Sequence, residues 1–106
     1  MWNVNGNDLR MTEGDWGVEL PIKINGTTFA NSDEIIFTLK DEKNGNVVLT
    51  KTFTNIAQNT VTLEITEEES ATLKVGAYVY SLDWFQDGAF LCNIVPASCF
   101  KVVDKA

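Results

Sequence analysis

The chain contains no histidine, and its 106 residues include only two cysteines, two prolines and eight basic side chains. Without histidine it lacks the commonest general base near neutral pH and the commonest nitrogen ligand of zinc. Most hydrolytic triads are excluded with it. The sequence also has neither a Cys-x-x-Cys spacing nor a phosphate-binding glycine loop. We therefore expect no catalytic residues, no metal site and no cofactor, and we interpret the chain as a non-enzymatic protein.

Paired acids remain one route to chemistry, since glycoside hydrolysis needs only two carboxylic acids at a suitable distance. The candidate pairs are Asp33 with Glu34, Asp41 with Glu42, and Asp83 with Asp87. All lie in or beside predicted turns, where acids are usually solvated. Residues 5–8 (Asn-Gly-Asn-Asp) offer oxygen donors for calcium but match no EF-hand spacing, so a turn or a frayed end is the better interpretation.

Basic residues are too few and too scattered to form a nucleic-acid site. Fifteen acidic residues leave a formal net charge of −7, which repels phosphate backbones and anionic lipid headgroups. No apolar run approaches the ~20 residues that span a bilayer as a helix. Residues 1–11 show no basic start leading into an apolar stretch, as a signal peptide would. We expect no nucleic-acid partner, no membrane insertion and synthesis in the cytoplasm.

The two cysteines, Cys92 and Cys99, lie seven residues apart. A straight strand would hold them ~20 Å apart, whereas a hairpin with its tip at Val95-Pro96 would bring them face to face. Because cytoplasmic synthesis keeps thiols reduced, we expect free, half-buried cysteines, with a disulfide as the alternative.

Period-two alternation of apolar and polar residues dominates the sequence and predicts strands with one buried face. The predicted strands cover residues 16–25, 35–40, 47–53, 61–65, 76–85 and 89–95, with an extended continuation over 99–103. Pro21 lacks an amide hydrogen and therefore indicates an edge strand or a bulge. Pro96 interrupts the sixth strand, where we expect the chain to step from one sheet to the other.

Turn and helix signals separate these strands. Asn44-Gly45 supplies the positive backbone dihedrals of a tight hairpin turn, and residues 86–88 (Gln-Asp-Gly) predict a second turn. Thr66 with Glu69 three residues later forms a capping box, which predicts one short helical turn. Leu73 is then expected to insert into the core, and Gly76 to mark the end of the turn.

About seven strands without a long helix predict an all-β fold. Each strand has one apolar face, so two sheets must cover each other in an immunoglobulin-like antiparallel β-sandwich, with a small barrel as the alternative. No linker or repeat divides the chain, so residues 1–106 are predicted to form a single domain. Residues 1–10 are expected to be a flexible or exchanged N-terminal segment.

Aromatic residues provide the candidate binding site, because Trp, Tyr and Phe are enriched at interfaces. Tyr78, Tyr80 and Trp84 have the spacing of one strand face and are expected to lie in the core. Four aromatic residues are instead candidates for contact with a partner: Trp2, Trp16, Phe85 and Phe90.

Several motifs together resemble the N-terminal domain of phage baseplate upper proteins. They are Gly14-Asp15, Ser32–Phe37, the run Val61-x-Leu63-x-Ile65-Thr66 and the run Gly76-x-Tyr78-x-Tyr80-x-Leu82. The likeness covers roughly residues 10–103. It implies a β-sandwich from a virion or prophage that anchors or connects parts of a tail or baseplate.

The resemblance also implies protein partners, either other tail proteins or copies of the same chain in a homo-oligomer. The location would be the virion, or the bacterial cytoplasm when a prophage expresses the chain. The longer stalk region of that family is not in this sequence, so a small free-standing phage structural protein is equally expected. A second hypothesis is a carbohydrate-binding or adhesion module that uses the exposed aromatics to stack on a glycan.

Overall fold

The structure is a computed structural model that describes residues 3–5, 8–16, 19–24, 29, 33–54, 56 and 59–104. These residues form eight strands and one short helix. In chain order they are β1 (Asn3–Asn5), β2 (Asp8–Thr12), β3 (Glu19–Lys23), β4 (Asp33–Asp41), β5 (Val47–Phe53), β6 (Thr60–Glu64), α1 (Glu67–Thr72), β7 (Gly76–Gln86) and β8 (Ala89–Val103).

The strands form two sheets of unequal size. One has six strands in the order β1-β2-β8-β7-β4-β5, and the other consists of β3 and β6. Neighbouring strands are antiparallel except for β2 and β8, which run parallel. A sheet centred on β4, β7 and β8 that faces a sheet containing β3 and β6 is the arrangement of an immunoglobulin-like sandwich. The predicted fold class is confirmed, with one parallel pair added.

The core lies between the two sheets because alternate residues of each strand point inward. In β4, Ile35, Phe37 and Leu39 are completely buried, while the residues between them are partly or fully exposed. Rings from three strands meet at Tyr80, whose centroid lies 5.7 Å from Phe37 and 6.4 Å from Phe100. The smaller sheet and its extension contribute Val61, Leu63 and Ile65 to the same core.

The β4–β5 turn forms where the sequence predicts it, but Gly45 alone of the Asn44-Gly45 pair has a positive φ, and the loop spans residues 42–45. Gly45 has a φ of 69°, and its amide donates to the Asp41 carbonyl oxygen at 2.6 Å. The Asp41 amide donates to the Asn46 carbonyl, and the Asp41 carboxylate accepts from the Lys43 amide. Pro21 lies in β3, which pairs on one side with β6 and has no second partner strand within the described residues. The prediction of an edge position for Pro21 is confirmed.

Helix α1 begins with the predicted capping box. The Glu69 amide donates to Thr66 Oγ1 at 3.2 Å, and the Thr66 amide donates to Glu69 Oε1 at 2.9 Å. Leu73 follows and is 2% exposed, as predicted. Lys51 of β5 donates to the same Glu69 oxygen at 2.7 Å, so the helix is tied to the edge of the large sheet.

The structure adds two strands that the sequence did not predict and changes the course of two predicted ones. The added strands are β1 and β2, and β2 contributes Leu9 and Met11 to the core, while a flexible or exchanged segment at residues 1–10 stays a prediction. The chain does not step to the other sheet at Pro96. Strand β8 continues through this residue, and the residues before and after it both pair with β7. The first predicted strand begins at Glu19 in the structure, and residues 17, 18 and 25–28 lie outside the described part of the chain.

The contact between α1 and β5 predicts a pH-dependent contribution to stability. Burial alone would raise the pKa of Glu69, but hydrogen bonds from Lys51 and the Thr66 amide lower that pKa below its ordinary 4.5. A carboxyl group with a lowered folded-state pKa stabilises the fold above its unfolded pKa, and this contribution is lost as the pH falls. We predict that Lys51→Gln lowers the free energy of unfolding by roughly 0.2–1 kcal/mol at pH 7 and by less at pH 3.

Urea unfolding of both proteins at the two pH values measures this difference. Lys43→Gln, in the exposed β4–β5 turn, removes the same charge without touching Glu69 and serves as the control. An equal cost of Lys51→Gln at pH 7 and pH 3 would contradict the prediction.

Candidate functional site

The hairpin of β7 and β8 ends in a tight turn that holds two aromatic side chains at its tip. Gln86 pairs with Ala89, leaving Asp87 and Gly88 as a two-residue loop with φ values of 52° and 80°. Positive φ at both central positions defines a type I′ turn, whose twist matches that of the flanking strands. The turn predicted at residues 86–88 is confirmed, and it fixes the register of the strands behind it.

The two neighbours of β7 differ in regularity. β4 pairs with β7 residue for residue from Asp33↔Gln86 to Asp41↔Tyr78. β8 departs from β7 at three register shifts, where each shift inserts one extra residue on the β8 side. Pro96 lies within the first of these bulges, a position that suits a residue without an amide hydrogen. The bulges explain why β8 is fifteen residues long against eleven for β7.

Three apolar residues at this end of the hairpin form an exposed cluster, which we call the hairpin patch: Phe85, Phe90 and Leu91. Phe85 and Phe90 are cross-strand partners, and their rings meet edge to face with centroids 5.8 Å apart. Phe90 is 61% exposed and Leu91 47%. Apolar side chains held in water on a rigid element are a feature of protein-interaction surfaces.

Packing on the inner side of the sheet and hydrogen bonds within the hairpin hold the hairpin patch in place. Trp84 points to the inner side of the sheet, and its ring lies 4.8 Å from that of Phe29 in the connection between β3 and β4. Asn93 Nδ2 donates to the Asp83 carboxylate at 2.7 Å and to the Val95 carbonyl oxygen at 3.1 Å. These bonds hold the bulged part of β8 against β7, so the exposed rings are presented by an ordered backbone.

The four aromatic residues singled out from the sequence do not form one site. Thr12 pairs with Val103, one residue beyond the Gly76↔Val102 pair, so it lies at the end of the sheet where β7 begins. Trp16 is four residues further and can reach at most ~14 Å from Thr12, whereas Phe85 lies nine residues along β7, about 30 Å away. Trp16 is 55% exposed at that far end. Trp2 lies outside the described residues.

In the described part of the chain, the acidic pairs considered as catalytic include residues that are buried, point to opposite sides of a strand or accept hydrogen bonds from their neighbours. Asp33 is 1% exposed on the inner side of β4, while Glu34 points to the opposite side. The Asp41 carboxylate accepts hydrogen bonds in its own turn, and the Asp83 carboxylate accepts from Asn93. Among the described residues no three potential ligands (His, Cys, Asp or Glu) lie together in a way that could hold a metal ion.

Cys92 and Cys99 are both free thiols, Cys92 exposed and Cys99 partly buried. They lie along the single strand β8, where their partners on β7 are Trp84 and Val79. The expectation of free thiols is confirmed, because no hairpin tip forms at Val95-Pro96. In the described residues, no helix has the length and apolar character needed to cross a membrane.

A groove at the end of the sheet opposite the hairpin patch was not anticipated from the sequence. It encloses about 640 Å³ between the β4–β5 turn, the end of α1 and the start of β7. Tyr78 lines it, and its hydroxyl donates to the Lys74 carbonyl oxygen at 2.8 Å. Burial raises the pKa of the Tyr78 phenol. The walls come from three distant sequence segments, so no local pattern could have indicated this groove.

Comparisons of the chain with family models, with curated proteins and with solved structures give no match.

The type I′ turn makes a prediction about the hairpin. A Cβ at Gly88 would meet no atom within 4 Å, so any cost of substitution there comes from its φ of 80°. We predict that Gly88→Val destabilises the protein by about 1–3 kcal/mol, because a β-branched residue is strained at positive φ. Asp87→Asn should be neutral or slightly stabilising, since Asn-Gly is the preferred pair in this turn.

Thermal unfolding of the two variants and the parent protein measures these effects, and amide hydrogen exchange of residues 84–92 reports on the hairpin itself. Equal stability of Gly88→Val and the parent protein would show that the turn is not formed as described.

Proposed function

We propose that this chain is a non-enzymatic structural module of a phage or prophage virion that binds a neighbouring tail or baseplate protein through the hairpin patch. The observation that carries the proposal is the exposure of Phe90 and Leu91, 61% and 47%, at the end of an ordered hairpin. A partner surface that covers these side chains removes apolar area from water, which is the main favourable contribution to association.

Charge supports the choice of this end of the molecule. The chain carries a net charge of −7, yet residues 88–100 contain no charged side chain. An interface centred on Phe90 therefore buries no charge from this stretch of β8, which lowers its desolvation cost, and the nearest acidic residues, Glu34 beside Phe85 and Asp87 in the turn, lie on neighbouring segments. Aromatic residues with uncharged neighbours along the chain are common at interface centres.

Two further considerations support a virion component. The immunoglobulin-like sandwich offers a compact scaffold on which one hairpin can be presented, although such a fold alone does not define a function. The sequence resemblance to the baseplate upper protein domain supplies the choice of partner class. On this proposal the chain acts by anchoring or connecting other virion proteins, and it is located in the virion or in the cytoplasm of a host that expresses the prophage.

Glycan binding is the second candidate, and exposed Trp16 is the observation that favours it. An indole ring that is 55% exposed can stack on a sugar face. The hairpin patch suits this role less well, because its two rings are inclined at 76° and form no common flat surface. A protein partner with a pocket for the Phe90 ring fits the geometry of the hairpin better.

The proposal predicts that one aromatic side chain dominates partner binding. Each tail or baseplate protein encoded beside this chain is purified and titrated against it, and we expect measurable association with at least one. Phe90→Ala should weaken that association by about 30-fold or more, as expected for a central aromatic contact worth at least about 2 kcal/mol. Because Phe90 is largely exposed in the unbound protein, thermal unfolding should change little.

Trp16→Ala provides the control, since it removes an exposed aromatic residue near the other end of the sheet, at least about 15 Å from Phe90. Association that resists Phe90→Ala, or that Trp16→Ala weakens equally, would contradict the proposed site. A glycan-array signal abolished by Trp16→Ala, together with no association with any tail protein, would favour the second candidate.

A further inference from the structure

The large sheet has a side that faces away from β3, β6 and α1, which we call the outer face. Among the described residues no strand or helix packs on it, because the core cluster lies entirely on the other side. Strand alternation and pairing assign its side chains: Asp8 and Arg10 of β2, Glu34, Ile36, Thr38 and Lys40 of β4, Val47, Thr50 and Thr52 of β5, Ala77, Val79, Ser81, Asp83 and Phe85 of β7, and Phe90, Asn93, Cys99 and Lys101 of β8.

The outer face is electrically balanced although the chain is strongly acidic. It carries three acidic side chains and three basic ones: Asp8, Glu34, Asp83, Arg10, Lys40 and Lys101. Its formal charges cancel, so the net charge of −7 resides on the remaining surface. Two copies of this protein repel each other in most orientations, and long-range repulsion is weakest when their outer faces meet.

The balanced charges are also separated along the strands. Arg10, Lys40 and Lys101 lie level with the start of β7, since Lys101 pairs with Ala77 and Lys40 with Val79, and a single acid, Asp8, lies at the same end, where it accepts from the Cys99 amide. Glu34 and Asp83 lie near its end, where Glu34 pairs with Phe85. The outer face is therefore more basic at one end and acidic at the other. On β4, Lys40 and Glu34 are six residues apart, which is about 20 Å.

This polarity is complementary to itself in one orientation. Two outer faces can stack about a two-fold axis that lies between the two sheets and is perpendicular to the strands. Each strand then faces the same strand of the other copy, which runs in the opposite direction. With the axis level with Leu82, Lys40 of one copy faces Glu34 of the other, and the symmetry gives this ion pair twice. The same operation places Val79 opposite Phe85 and Thr38 opposite Ile36.

The side chains nearest this axis are small or β-branched except for Asp83, which lies one residue from the axis and faces Ser81 of the other copy. Ile36, Thr38 and Ser81 are each partly buried by their neighbours, so they form a low surface without long side chains that would hold a second sheet away. Sheets stack face to face at about 10 Å in this way, with the polar residues left at the rim.

We propose that the outer face binds a second copy of this chain in a two-fold dimer, with reciprocal Lys40–Glu34 ion pairs at its two ends. This contact differs from the binding site proposed at the hairpin patch, although Phe85 and its cross-strand partner Phe90 contribute to both surfaces. Five strands and seven residues of strand length give a face of about 20 by 20 Å. That is small for a specific interface, so the dimer is expected to dissociate in the micromolar range or above.

Sedimentation equilibrium of the full chain at concentrations up to about 1 mM tests the proposal by charge reversal. Lys40→Glu, and separately Glu34→Lys, replaces two attractive pairs by two repulsive ones and should raise the dissociation constant by about tenfold or more. The double variant Glu34→Lys/Lys40→Glu restores both pairs with their signs exchanged, so it should recover dimerisation to within about threefold of the parent protein. Raised salt should weaken the parent dimer.

Lys43→Glu is the matched control, because it makes the same change in net charge at an exposed turn residue outside the outer face. A strictly monomeric parent protein over the whole concentration range would overturn the proposal. So would a dimer that the double variant fails to recover, or one that Lys43→Glu weakens as much as Lys40→Glu does. Lys40→Glu, six residues along the sheet from the level of Phe85, should weaken the dimer while leaving partner binding at the hairpin patch within about threefold of the parent, so the two proposals fail separately.

Discussion

The structure depends on covering the inner side of the β4–β7 pair. Ile35, Phe37 and Leu82 are completely buried there, yet among the described residues the second sheet has two strands with which to cover a sheet of six. Two elements extend the cover. Helix α1 and Leu73 lie beside β5, where Lys51 reaches Glu69, and Phe29 covers Trp84 near the hairpin turn. Because these additions are short, the sandwich remains small while the apolar faces of its strands remain buried.

The same constraint explains how the two sides of β7 differ. Inner residues of β4 and β7 must stay level with each other to pack, so their ladder is regular over nine pairs. β8 has to meet β7 on one side and β2 on the other, and β2 reaches only residues 100–103. Its first part is thus an edge, and an edge tolerates the bulges and the proline that a central strand does not. The bulges and the proline therefore occur where they disrupt the fewest contacts between strands.

Strands with strict alternation and strong turn signals could be predicted from the sequence, whereas long-range pairings could not. β4, β6, β7 and the capping box of Thr66 and Glu69 follow from local spacing. The N-terminal strands do not, because residues 3–8 are mostly Asn, Gly and Asp, which are depleted in strands, and β2 is fixed by parallel pairing with the far end of the chain. In β8 three extra residues break the alternation. Phe85 and Phe90 could be predicted as neighbours, since a two-residue turn places them in register, while the distance to Trp16 required the tertiary fold.

Bulges also determine which kind of contact the molecule can make. The edges of β3, β5 and β8 each carry a proline or a register shift, and such edges resist continuous pairing with another strand. Backbone pairing along these three edges is thereby disfavoured, so contacts made there depend on side chains. In a regular strand Phe90 and Leu91 would point to opposite faces. Leu91 is the extra residue of a bulge, so two consecutive apolar side chains are exposed together at the hairpin tip. The bulge that disfavours pairing along the edge of β8 therefore also produces the hairpin patch.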